Sequence, residues 1–186
     1  MLRMPQHQPL LNSWENKLMS DVDSGQILVA SHQKIYVIKM VGDVRLTLCV
    51  AFDKCIEILF SRSNFKSVLF DLAEVKNLDS TTLGFIAKVA IKCQNSKLPK
   101  PVVFCHQPVI KKLLVTMGID EVCDVVDQPT SDLGKAADYR DLGSSENQDE
   151  EVVKDKVIEA HEILVSLNED NGKHFNDLIE TLKSTH

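Results

Sequence analysis

The stretch Val68-Leu-Phe-Asp-Leu-Ala-Glu-Val-Lys-Asn-Leu-Asp-Ser-Thr-Thr-Leu-Gly-Phe85 decides how this chain is read. It begins inside a short apolar run, Ser67 to Ala73, of the length and composition of a buried strand. It ends in a helical pattern: Leu83, Phe85, Ile86, Val89, Ala90 and Cys93 recur at three and four until the polar Gln94-Asn-Ser-Lys97 stops them. Between the two stands Asp79-Ser80-Thr81-Thr82. An Asp or Ser at a helix start accepts the N–H groups that have no partner within the helix, so the segment predicts a strand, a short loop and a capped helix. Two readings of the hydroxyls follow. One is a helix cap and nothing more. The other is a switch position, where a phosphate would meet the positive end of the helix yet add roughly two negative charges beside Asp79.

Working outward, the N-terminal side supplies two β-branched runs, Gln26 to Ser31 and Lys34 to Met40, joined by His32-Gln33 and expected to form a hairpin. From Arg45 the period becomes helical through Leu46, Cys49, Val50, Ile56, Leu59 and Phe60, with Asp53, Lys54 and Glu57 on the polar face. On the C-terminal side Pro101 to Cys105 is a further buried run. Pro108 suits the first turn of a helix to Met117, ended by Gly118, and Val122 to Val126 reads as a last strand. The order β-β-α-β-α-β-α-β over residues 26–127 predicts an α/β chain with a mixed, mostly parallel sheet.

Residues 1–25 read as an irregular arm without a secretory apolar segment, Trp14 packing on the domain. Residues 129–150 read as an acidic polar linker. Residues 151–186 read as a helical extension, its stripe running through Val153, Val157, Ala160, Leu164 and Leu167. A break follows at Asn171-Gly172, and then Phe175, Leu178, Ile179 and Leu182. This extension either packs on the core or offers a surface to a partner, a homodimer contact being the alternative.

Composition narrows the classes. With 186 residues, one domain with appendages is expected, and 21 basic against 27 acidic residues argue against nucleic-acid binding. No apolar run is long enough to insert into a membrane. The five cysteines, at 49, 55, 93, 105 and 123, form no CxxC pair and fit buried, reduced thiols in a cytoplasmic protein. His161, His174 and His186 are spaced too loosely for a metal site and read as solvated. Cys105 and His106, adjacent in a strand, would point apart. The scattered glycines form no phosphate loop, and the small clusters Lys97 to Lys100 and Lys111-Lys112 read as solvated faces.

The run Asp71-Leu-Ala-Glu-Val-Lys-Asn-Leu-Asp79-Ser80-Thr81-Thr82-Leu83-Gly84 resembles the signature loop of STAS domains, the fold of bacterial anti-sigma factor antagonists. Met40-Val-Gly-Asp-Val44 is similar to that family's junction before the first helix. Leu113 to Val126, with Met117-Gly-Ile-Asp120, is similar to its closing element. The resemblance covers residues 26–128; Thr82 departs from it, standing where many members carry Gly or Ala. It implies a SpoIIAA-like sheet with helices mainly on one side, here with a helical C-terminal extension.

The resemblance also implies a non-enzymatic anti-sigma factor antagonist working by partner switching. When unphosphorylated it would bind an anti-sigma serine-protein kinase; phosphorylation of Ser80 would release it, and a PP2C-type phosphatase would reset it. Ser80 is then the phosphoacceptor and Thr81 a secondary hydroxyl. Asp43, Asp79, Ser80, Thr81 and Thr82 form the partner-binding end, and no cofactor or metal is implied. Two other roles are compatible with the same resemblance: a STAS accessory subunit of a membrane transporter complex, and a module sensing a nucleotide or small ligand. A catalytic role finds no support, since no histidine lies near Ser80 in sequence and no nucleophile elbow surrounds it.

Overall fold

The computed structural model describes residues 25–61, 64–129, 138–143 and 149–185. The expected N-terminal arm, Gly25 apart, the tryptophan within it and most of the expected linker lie outside the described residues. Strands β1 (Gln26–His32) and β2 (Ile35–Val44) form the antiparallel hairpin, its tight turn made by Gln33 and Lys34, both with positive φ. A short 3-10 turn, Leu46–Leu48, leads into helix α1 (Cys49–Ser61). There follow β3 (Ser67–Leu78), α2 (Ser80–Asn95), β4 (Val102–Phe104), α3 (Pro108–Thr116), the single-turn α4 (Ile119–Val122) and β5 (Asp124–Val126). The sheet is mixed: β2, β3, β4 and β5 pair in parallel, and β1 joins β2 in antiparallel sense.

Alternate strand residues enter one apolar core: Ile27 and Val29, Ile38 and Met40, Val68, Phe70 and Leu72. Period-two alternation sends these side chains to one face, where Phe52 and Ile56 of α1, Leu83 and Ile86 of α2 and Leu114 of α3 cover them. The rings of Phe52 and Phe85 meet edge-on, 6.1 Å between centroids. All five cysteines are free and buried, and burial pushes the thiols of Cys49 and Cys93 up to about 11 and that of Cys123 to about 12.

The structure departs from the sequence reading at several points. No loop separates the strand from Asp79: β3 continues to Leu78 because pairing with β2 persists through Asp43 with Asn77 and Val44 with Leu78, past two register shifts near Gly42. The expected strand Val122 to Val126 begins only at Asp124, since Gly118 at φ 75° turns the chain into α4, which takes Val122. Within the expected linker, Arg140–Asp141 form a sixth strand, β6, antiparallel to β1 at the sheet edge.

The extension is two helices, α5 (Glu150–Leu167) and α6 (Glu169–Ser184). They part at Asn168 rather than at Asn171-Gly172. The Asn168 side chain accepts from the Asn171 backbone N–H and so caps α6, drawing Asn171 into its first turn. The Asn171 amide, buried, donates to the carbonyls of Met117 and Leu164 and pins the hairpin to the end of α3.

Candidate partner-docking site at the start of the Ser80 helix

Asp79 organises the junction. One carboxylate oxygen accepts from the Thr82 N–H at 2.8 Å, capping α2; the other accepts from the Leu46 N–H at 2.6 Å. A single side chain thus ties the start of α2 to the turn that leads out of β2. Asp43 stands at the same end of the sheet, opposite Asn77, and pairs with Arg45. The guanidinium of Arg45 holds the Asp43 carboxyl below its ordinary value.

Ser80 is the first residue of the 16-residue α2. Because Asp79 does the capping, the Ser80 hydroxyl is not consumed by the helix and turns to a neighbour. That neighbour is His161 of α5, with Oγ and Nε2 2.8 Å apart. The other ring nitrogen, Nδ1, lies 2.7 Å from the Val157 carbonyl, which can only accept. In the neutral imidazole Nδ1 therefore carries the proton, and Nε2 accepts from the serine. His161 is 3% exposed, and the ring of Phe175 closes over it at 4.7 Å between centroids.

Below this hydrogen bond α2 and α5 approach closely. A Cβ on Gly84 would stand 2.3 Å from the Ala160 carbonyl oxygen, so only glycine admits this contact. One turn further on, the Lys88 ammonium sits 2.5 Å from Asp53 and 2.5 Å from Glu159. Lys156 joins Asp53 at 2.8 Å and Glu159 at 3.0 Å. Burial would push the Asp53 carboxyl up, but hydrogen bonds from Lys156 and Lys88 outweigh it and hold the group below its ordinary value. The same partners outweigh burial in the other sense for Lys88 and Lys156, whose ammonium groups are held above theirs.

The geometry gathers some of the expected residues and not others. Asp43, Asp79 and Ser80 share one end of the molecule. Thr81 and Thr82, expected on the docking face, are instead buried, at 4% and 3% exposed. Ser80 itself is half-buried beneath α5 rather than presented openly. His161, read as solvated, is buried between Ser80 and Phe175, and Asp53, read as part of a polar face, is buried where α5 brings Lys156 to it. His161 was findable: it falls four residues after Val157 and three before Leu164, on the apolar stripe of its helix. Cys105 is buried while His106 is exposed, although neither lies in the strand expected to set them apart, since β4 ends at Phe104. Among the described residues no cluster of His, Cys, Asp or Glu is arranged to hold a metal ion, and no helix is long and apolar enough to cross a membrane.

No family model and no curated protein matches the chain. Solved structures do. The chain is similar to an anti-sigma factor antagonist from Mycobacterium paratuberculosis at 22% identity, over 62% of this chain and 97% of that one, with a TM-score of 0.49. It is similar to the anti-sigma factor antagonist SpoIIAA in its unphosphorylated form at 10% identity, over 59% of this chain and 94% of that one, with a TM-score of 0.49. The phosphorylated form of SpoIIAA, a Bacillus cell fate determinant, matches at 11% identity over 59% and 96%, with a TM-score of 0.47. More than a third of this chain lies outside each of these matches.

Proposed function

We propose that this chain is a cytoplasmic, non-catalytic binding module of the anti-sigma factor antagonist kind, with Ser80 as its phosphorylation site. One observation carries the reading: the Ser80 hydroxyl stands at the first position of a long helix whose cap is already supplied by Asp79. A hydroxyl that the helix does not need can be modified without unwinding the helix. A phosphate there would find the helix N-terminus favourable and the Asp79 carboxylate unfavourable, and it would leave a dianion on any protein surface laid over it. Burying such a charge unpaired is costly, so one phosphate suffices to end an interface. The STAS-like signature around Asp79-Ser80-Thr81 supports an anti-sigma serine-protein kinase as the partner, with a PP2C-type phosphatase removing the mark.

The Ser80–His161 pair also has the spacing of a nucleophile and its base. Here the imidazole is enclosed by Ser80, the Val157 carbonyl and Phe175, and the pair joins two helices.

The test is phosphate mapping on the full chain after incubation with ATP and extract of the source cells, together with capture of the kinase by variants. Phosphate on Ser80, loss of capture by about tenfold or more in Ser80→Asp and retained capture in Ser80→Ala are the expected results. Equal capture by the two variants overturns the reading.

A further inference from the structure

Helix α5 lies along the stripe of α2 that begins at Ser80, and the seam between them is built unlike the core beneath. Ser80, Gly84 and Lys88 are spaced by four and form one line on α2. Against them α5 sets, in order, His161, Ala160 and Glu159, with Lys156 reaching past to Asp53 of α1. The contact is a hydrogen bond, a backbone-close approach and a set of ion pairs, laid beside Ala160 and Leu164, which join the apolar core. Of the 18 residues of α5, only Ala160, His161 and Leu164 are buried. A seam with so much polar contact beside its apolar anchor resembles the contact between a domain and a separable partner more than the interior of one domain.

Resting on the reading of Ser80 as the regulated residue, we infer that the α5–α6 hairpin is an intramolecular occupant of the docking face. A partner or kinase then reaches Ser80 only when the hairpin lifts away. The pattern also states what replaces the hairpin: a helix with a cation opposite Asp53, an anion opposite Lys88, a small residue over Gly84 and a hydrogen-bond acceptor at Ser80. Asn171, bonded to Met117 and Leu164, and Gly118, where a Cβ would stand 2.9 Å from the Asn168 side chain, give the hairpin its second attachment. Lifting at the Ser80 end can therefore proceed while the α3 end holds.

The experiment reads access to position 80 directly and needs neither kinase nor partner. In the full chain Ser80→Cys introduces one thiol, while the native five are buried, so reaction with a soluble disulfide reagent reports on that position. Slow reaction is expected in the Ser80→Cys chain. An increase of about tenfold or more is expected when Ala160→Leu is added, which crowds Gly84, or when Lys156→Glu is added, which sets a like charge beside Asp53. Hydrogen exchange measured alongside shows whether β3 and α2 keep their protection while 150–184 lose theirs. Reaction at an unchanged rate in both double variants, or loss of protection in β3 together with the hairpin, overturns the inference. Either result leaves the phosphorylation of Ser80 standing or falling by its own test. Conversely, fast reaction in the double variants with Ser80 never phosphorylated keeps the occupant and discards the switch.

Discussion

Helix α2 meets its surroundings in two chemical styles. Toward the sheet it contributes Leu83, Phe85, Ile86, Val89 and Cys93 to a core of strand and helix side chains that contains no ion pair. Toward α5 it contributes Ser80, Gly84 and Lys88, whose counterparts are an imidazole, a carbonyl and a carboxylate, beside Ala160 and Leu164, which join the core. Apolar burial is non-directional and scales with the area removed from water, so the first contact tolerates small shifts. Charge pairs and a buried hydrogen bond depend on each partner being in place, and losing one leaves the other stranded. The sheet and its helices are therefore built to persist, whereas the hairpin seam responds to single changes of charge or shape.

The largest effect tests the persistent side. Phe70→Ala removes a fully buried ring from β3 and is expected to cost about 3–5 kcal/mol, seen in chemical denaturation as a loss shared by every element. A loss confined to the hairpin would erase the distinction between the two regions.

Gly84→Ala sharpens it. The added methyl would meet the Ala160 carbonyl, an overlap costing about 1–3 kcal/mol at the seam, while α2 by itself gains up to about 1 kcal/mol in helix propensity. Hydrogen exchange should show residues 150–184 losing protection with β3 unaffected. Equal protection throughout would mean the two helices can slide apart without consequence.

The gentlest probe is acid. Asp53 is held below its ordinary value of 3.8 in the folded chain, so the stability it contributes is complete above that pH and is lost as pH falls through the lower, folded value. Lys88 and Lys156 are held above 10.5, and their contribution fades only as pH rises beyond it. The share of the hairpin's protection that rests on these ion pairs should thus fall below pH 3.8 before the protection of β3. Simultaneous loss would show that the seam is no more sensitive to charge than the core.

Much of this was legible before any coordinates. Residue types with strong local preferences placed the hairpin strands, the Ser80 helix with its Asp79 cap and the helix opened by Pro108. Each of those signals acts within a few residues of chain: period, cap, turn. Harder to read were features that depend on a distant segment. The extension of β3 to Leu78 exists because β2 runs beside it, and the edge strand at Arg140 exists because β1 leaves an edge to pair with. The burial of Asp53 has the same origin, since its amphipathic helix gives no hint that a second layer will cover the polar face.

The amino-acid order by itself determined that a capped helix with a spare hydroxyl follows a buried strand, because capping and periodicity are local and carry their own physics. Only the folded chain decided that His161, eighty-one residues further on, would hold that hydroxyl, and that Lys88 would find Glu159 and Asp53. Pairing across such distances is set by how whole helices pack, and packing is a property of the assembled surface that no window of sequence contains.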